Sequence, residues 1–301
     1  MIAALGSALP TENTRRDNVF GGPLPLPFPE SDFTSTAASS QNTYCGDEWN
    51  KPEVKFGDQT VLYSSGDGIT EDRVTIYHSN SLGLVVAYMG TNSSDLLSEL
   101  ADVDAIAVDA DPALGLPGTA RLFQGFQNVW ATSWNHTKAN LHKAKETYPT
   151  LPFFVTGHSQ GGGVCLLGAM AIAKEFGPES ISKIIAYGVP RVGNPDFADA
   201  FDSYFKGRYT GVTNGADWVS ELPPTIWNYR HPSGMVWINP ANSSSYGFYP
   251  DQEDLNGIDS RIPEFINFQT HDLYWYDHRG IYMKSSIGIK AGPCPAQVGG
   301  Y

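Results

Sequence analysis

Leu151-Pro152-Phe153-Phe154-Val155-Thr156-Gly157-His158-Ser159-Gln160-Gly161-Gly162-Gly163 carries an apolar run into a single serine flanked by glycines, and its reading decides the fold. An apolar strand that turns abruptly into a helix needs residues without a β-carbon at Gly157 and Gly161, because bulk there would strike the strand or the helix. The following stretch, Val164 to Phe176 (VCLLGAMAIAKEF), has the amphipathic spacing of that helix. Strand, glycine, serine, glycine and helix together make a nucleophile elbow. The turn lifts the Ser159 hydroxyl to the C-terminal edge of a sheet, with a helix N-terminus beneath it.

Working outward, Arg73 to Asn80 (RVTIYHSN) and Leu82 to Gly90 (LGLVVAYMG) read as paired strands that meet at Asn80 to Gly83. From Gln124 to Thr147 the positions Phe126, Val129, Trp130, Ser133, Thr137, Leu141 and Ala144 follow a helical period, and Pro149 ends the helix before the elbow strand. After Gly177-Pro178 come a strand (ISKIIAYG, 181–188), a helix (PDFADAFDSYF, 195–205) and another strand (GRYTGVTN, 207–214). This alternation implies parallel crossovers, hence an α/β sheet with helices on both faces. Thr34 to Cys45 reads as a further helix behind the sheet. The Pro- and Gly-rich residues 1–30 read as an extended arm. Ser93-Ser94-Asp95 is a cap for a short helix through Leu96, Leu97 and Leu100. No repeat or low-complexity tract divides the chain, and residues 1–301 are expected to form one domain.

The bulk composition narrows the function. With 32 acidic against 19 basic residues, the formal charge of −13 repels phosphate backbones and anionic headgroups, so nucleic acid is a poor partner. No apolar run is long enough to span a bilayer. The N-terminal MIAALGSALPTENTRR has too short an apolar stretch and no basic leader for a complete secretion signal, as in a mature or trimmed chain. Sequons at Asn92, Asn135 and Asn242, together with sparse lysine, point to an extracellular, secreted protein. Of the three cysteines, Cys45 and Cys294 lie near opposite ends in Gly/Pro-flanked settings and are expected to pair. Cys165 falls on the apolar face just after the elbow, as a buried thiol.

A serine alone is a weak nucleophile and needs a base with an orienting carboxylate, which in this kind of fold follow it in the order Ser, Asp, His. Asp217 lies just past the strand 207–214, at the sheet edge that carries Ser159. Three histidines follow it: His231, His271 and His278. The residues alone leave His271 and His278 open, since both lie in an aromatic, loop-like region near the C-terminus. His231 sits in a strand-like run. Oxyanion donors are also required. The backbone N–H of Gln160 supplies one. Thr91, after Met89-Gly90, can offer a backbone N–H and a hydroxyl together.

At this point four motifs together resemble the fungal class 3 lipases, secreted α/β-hydrolases that cleave acylglycerols and have feruloyl esterases as relatives. GHSQGG (157–162) resembles the family's Gly-His-Ser-Leu-Gly-Gly, and YGVPRVGNPDFAD (187–199) its Gly-x-Pro-Arg-Val-Gly-Asn. TNGADWVSELPP (213–224) resembles its Asn-x-x-Asp-x-Val-x-x-x-Pro-Pro, and GTN (90–92) its oxyanion Gly-Ser/Thr. The resemblance covers Val85 to Tyr282. It implies an α/β-hydrolase fold, Ser159 as nucleophile, Asp217 as orienter, and Thr91 with Gln160 as the oxyanion hole. The family's His-x-x-Tyr-aromatic pattern fits His271-Asp272-Leu273-Tyr274-Trp275, which favours His271 as base, because His278 has isoleucine at that spacing. A lid at about 92–104, with Leu96, Leu97 and Leu100 on its apolar face, is implied as well. Gln160 in place of leucine, Met89 where arginine is frequent, and Phe123 in place of histidine depart from the pattern, but none removes a catalytic atom.

The expected activity is hydrolysis of acylglycerol esters through an acyl-enzyme, by a monomer working at an oil–water interface with neither metal nor cofactor. A soluble-ester or feruloyl esterase on the same fold, and a catalytically silent binding module, are the alternatives.

Overall fold

The run before Ser159 is a strand buried on both faces, and the sheet is built around it. In the computed structural model, which describes residues 24–69, 71–91, 107–261, 276–288 and 293–299, this strand is β7 (Phe153–His158). Four strands precede it in the main sheet: β1 (Lys55–Phe56), β2 (Gln59–Ser65), β3 (Val74–Ser79) and β4 (Gly83–Tyr88). A small separate hairpin joins β5 (Ala107–Asp109) to β6 (Arg121–Phe123). After β7 come β8 (Ile181–Tyr187), β9 (Tyr209–Asn214), β10 (Met235–Ile238) and β11 (Tyr246–Tyr249). Among the described residues the main sheet has nine strands in the order β1-β2-β3-β4-β7-β8-β9-β10-β11. From β4 through β10 neighbouring strands run parallel, while both margins are antiparallel.

Alternation along the central strands divides the interior in two, as a sheet covered on both faces requires. Leu84, Val86 and Tyr88 of β4, Phe153 and Val155 of β7, and Ile184 and Ala186 of β8 face one core. Val85 and Ala87, Phe154, and Ile185 and Tyr187 face the other. Three helices contribute to the first core: α2 (Gln124–Thr147), α3 (Gln160–Phe176) and α4 (Pro195–Phe205), the last through Phe197, Phe201 and Phe205. On the opposite face lies α1 (Glu30–Asn42), which places Phe33, Ala37 and Ala38 there. Helix α2 buries Phe126, Trp130, Trp134, Thr137, Leu141 and Ala144; each large apolar side chain so buried stabilises by about 1.5–3 kcal/mol.

The Asn194-Pro195 pair explains where α4 starts. Asn194 accepts a hydrogen bond from the Phe197 N–H as N-cap, and Pro195 fills the first turn, where a missing N–H costs nothing. The same side chain accepts from Arg121 N–H (2.9 Å) and donates to Thr119 O (3.0 Å), pinning β6 to the helix.

Of the N-terminal arm only residues 24–29 are described; there Leu24 bridges to Phe248 beside β11 and Phe28 packs against Phe33. The lid segment 92–104, with Leu96, Leu97 and Leu100, lies outside the described residues. No helix among the described residues is long and apolar enough to cross a membrane. Asn135 and Asn242 are exposed.

Cys45 and Cys294 form the expected disulfide across 249 residues of chain, and Cys165 is a buried free thiol. The bond ties the end of α1 to the C-terminal segment, so it restricts the unfolded chain over nearly its whole length. Replacing both partners by serine should lower unfolding free energy by about 2–5 kcal/mol. Urea denaturation measures this, and an unchanged midpoint would show that the cross-link contributes nothing.

Candidate functional site

Ser159 adopts φ 60° and ψ −130°, a conformation that side-chain-bearing residues seldom take. Close packing around it explains the flanking glycines. A β-carbon on Gly157 would lie 2.1 Å from Gly161 O, and one on Gly161 2.3 Å from Tyr88 O. The turn is held by Ser159 N–H donating to Tyr187 O (2.9 Å) and by Gly162 N–H donating back to Ser159 O (2.9 Å). Gln160 opens α3, so its N–H has no acceptor within the helix and stands at the positive end of the helix dipole.

Strand register brings the other parts to this edge. Tyr88 pairs with Gly157, His158 with Tyr187, and Tyr187 with Val212, so β4, β7, β8 and β9 end side by side. Carboxyl ends of parallel strands are where α/β sheets assemble sites. Just beyond β9, Asp217 caps the short helical turn Trp218–Glu221 by accepting from Val219 N–H (3.0 Å) through Oδ1. Its Oδ2 accepts from His278 Nδ1 (2.9 Å). His278 Nε2 stands 2.8 Å from Ser159 Oγ. Because a carboxylate only accepts, Nδ1 carries the proton, and the serine hydroxyl donates to bare Nε2. Asp217 is fully buried, and Ser159 and His278 are each 1% exposed.

The ring brought here is not that of His271, which the His-x-x-Tyr-aromatic spacing favours. The ring that meets Ser159 and Asp217 belongs to His278; His271 lies outside the described residues. The physical reason is visible in the tyrosine that accompanies the histidine. Tyr282, four residues after His278 rather than three, brings its hydroxyl to 3.1 Å from Asp217 Oδ2. The His278 loop is also tied to the Asp217 loop and to the turn between β10 and β11. Asn214 donates to Asp277 O (2.8 Å), Ala216 N–H to Asp277 Oδ2 (2.8 Å), and Ile281 N–H to Asn242 Oδ1 (2.7 Å). Gly280 was the usable signal: a β-carbon there would fall 2.5 Å from both Asn214 Nδ2 and Asn242 Oδ1. His231 is a structural histidine whose Nε2 donates to Ser220 O (2.7 Å) in the loop before β10.

At the oxyanion side, Gly90 packs directly on the elbow, where a β-carbon would lie 2.9 Å from Ser159 Cβ. Thr91 follows immediately, and its hydroxyl is 3.5 Å from Asp72 Oδ1. Burial pushes the Asp72 carboxyl up to about 6.

Arg191, from the Gly-x-Pro-Arg motif, is buried among three carboxylates. Its Nη2 reaches Glu221 Oε2 (3.0 Å), Glu253 Oε2 (2.7 Å) and Asp259 Oδ1 (2.9 Å), clamping the turn after Asp217 to the segment 253–259. Burial opposes ionisation of Glu253, but the hydrogen bonds and charge of Arg191 prevail and hold it at about 2. One cation cannot balance three buried anions. Burial, with the Glu221 and Glu253 charges adding to it, pushes Asp259 up to about 8, so near neutral pH it holds its proton.

Comparison with known proteins gives the family and the fold. The profile of the lipase (class 3) family matches residues 85–227. The chain is 52% identical over 301 residues to a secreted mono- and diacylglycerol lipase of Gibberella zeae, covering 100% of this chain and 93% of that protein. It is 37% identical over 281 residues to a secreted mono- and diacylglycerol lipase of Malassezia globosa, covering 93% of this chain and 90% of the other. Among solved structures, lipase II from Rhizopus niveus matches with a TM-score of 0.70 at 23% identity, covering 86% of this chain and 96% of that one. That last likeness concerns the fold.

The Arg191 cluster makes stability depend on pH with a definite sign. Asp259 titrates near 8 in the folded protein and near the ordinary aspartate value of about 3.9 when unfolded. Its stabilising contribution is complete below the lower value and is lost as pH rises through the upper one. Asp259→Asn, which keeps a neutral polar group there, should match the wild-type melting temperature near pH 4 and exceed it at pH 8 to 9. Parallel pH profiles for the two proteins would contradict this.

Proposed function

The chain belongs to the class 3 lipases, carboxylic ester hydrolases with an α/β-hydrolase fold, and on that premise we propose that it cleaves mono- and diacylglycerols outside the cell, with Ser159, His278 and Asp217 as its catalytic triad. One observation carries the catalytic assignment: the His278 ring bridges Ser159 Oγ and Asp217 Oδ2 at 2.8 and 2.9 Å. The glyceride class follows from the Gibberella zeae and Malassezia globosa relatives, both named for mono- and diacylglycerols. A disulfide that closes most of the chain suits an oxidising, extracellular setting.

In acylation, Ser159 Oγ attacks the ester carbonyl as His278 Nε2 takes its proton. Asp217 holds the tautomer that makes this possible and stabilises the imidazolium that results. Charge that develops on the carbonyl oxygen is met by the Gln160 N–H and by the N–H and hydroxyl of Thr91; removal of one such donor costs about 3–4 kcal/mol. His278 then passes its proton to the departing glycerol oxygen. In deacylation it activates a water in the same way, releasing the fatty acid and restoring the serine. The scheme calls on neither metal nor cofactor.

Alanine at Ser159 or His278 should lower kcat on a short soluble ester by about 1,000-fold or more, whereas His271→Ala should retain most activity. Loss confined to His271→Ala would overturn the choice of base. Rates on emulsified monoacyl-, diacyl- and triacylglycerols, with a feruloyl ester alongside, test the substrate class. The first two should exceed the others, and preference for the feruloyl ester would refute the glyceride reading.

A further inference from the structure

His158, the residue before the nucleophile, is 1% exposed and makes a polar contact with each ring nitrogen. Its Nε2 lies 2.9 Å from the backbone oxygen of His278. A carbonyl can only accept, so Nε2 carries the proton. Burial, with the Arg279 charge adding to it, holds His158 well below the ordinary histidine value, so the ring is neutral and Nδ1 is bare. The Tyr44 hydroxyl, 2.8 Å from Nδ1, is therefore the donor there. Gly90, the residue before Thr91, packs against that hydroxyl, since a β-carbon on it would overlap the Tyr44 oxygen. The rings of His158 and His278 stack with centroids 4.7 Å apart.

Two directed bonds, from Tyr44 to His158 and from His158 to the carbonyl of His278, continue from the packing of Gly90 on the Tyr44 hydroxyl. Together these contacts join the turn that supplies Thr91 to the loop that supplies the base. Both ends belong to segments that carry the proposed chemistry, while Tyr44 and His158 are themselves buried. Tyr44 is itself anchored: Arg73 donates to the backbone oxygens of Thr43 (3.0 Å) and Cys45, and Cys45 is held by the disulfide.

We propose that Tyr44 and His158 are positioning residues that hold the Gly90-Thr91 turn and the His278 loop in register with each other, through the packing of Gly90 on the Tyr44 hydroxyl and two buried hydrogen bonds of fixed direction. This rests on the triad assignment above. A neutral His158 is part of the device, because a cation stacked on His278 would oppose the imidazolium that must form there.

The experiment uses a short-chain soluble ester and counts active sites with a fluorescent organophosphonate, so that kcat is expressed per reactive serine. Tyr44→Phe keeps the ring and removes the hydroxyl; His158→Leu removes both polar contacts; His158→Gln can still donate to the His278 carbonyl. Tyr44→Phe should lower kcat per titrated site by roughly three- to tenfold, the equivalent of one neutral hydrogen bond, with KM unchanged. His158→Leu should lose roughly tenfold or more and His158→Gln should recover most of that loss. The double variant Tyr44→Phe/His158→Leu should be no slower than His158→Leu alone, because both act through one relay. Variants that titrate fewer sites or melt earlier, but turn over normally per site, would reduce the relay to a packing feature and overturn the proposal. So would multiplicative losses, or an effect on KM alone. If the wild type itself neither labels nor turns over, the triad assignment falls first; normal wild-type activity with unaffected variants removes the relay only.

Discussion

The backbone of Ser159 is the constraint on which the rest depends. Holding a serine at a positive φ costs on the order of 1–3 kcal/mol, and such a conformation persists only where its surroundings leave no alternative. Here Tyr187 of β8 takes the serine N–H, the first turn of α3 takes its carbonyl, and glycines on either side allow Gly161 to lie against the main chain of β4. The strain fixes one oxygen atom in space. Everything of chemical interest at the sheet edge converges on that atom.

Convergence requires that loops from separate strands be tied together, and the ties are polar rather than apolar. Asp217 and His278 stand 61 residues apart in sequence, yet Asn214, Asp277 and Asn242 knit their loops through backbone and carboxamide bonds. Arg191 does the same one layer further out, for the turn after Asp217 and the segment 253–259. Inside a protein each satisfied bond is strengthened by low dielectric, and each missing partner is correspondingly costly. A site held this way is stiff, and stiffness is what keeps an imidazole between a hydroxyl and a carboxylate.

Elements with a strong apolar period were legible from residue types alone. Helix α2 spans the residues its spacing predicts, because Phe126, Trp130, Leu141 and Ala144 fill one face, and the elbow followed from glycines that no other residue could replace. Helix α1 was harder to bound, since its buried face includes Thr36, Ser39 and Ser40, whose hydroxyls find partners in Tyr187, Gln59 and Thr156 only in the folded chain. The marginal strands β1, β10 and β11 are short, at two, four and four residues, and gave little pattern. The spacing rule, tyrosine three residues after histidine, points to His271, whereas the ring between Ser159 and Asp217 is that of His278, with Gly280 and Tyr282 packed around its loop. Tyr44 and His158 carried no readable signal: their roles depend on which atoms face each other across 114 residues of chain.

The covalent intermediate is the most direct test of an activated Ser159. Wild-type protein mixed with a short-chain ester and quenched in acid within the first turnovers should yield, on peptide mass mapping, one acyl group on the peptide that carries Ser159, and none in Ser159→Ala. An acyl group on a different residue, or steady turnover by Ser159→Ala, would contradict the account.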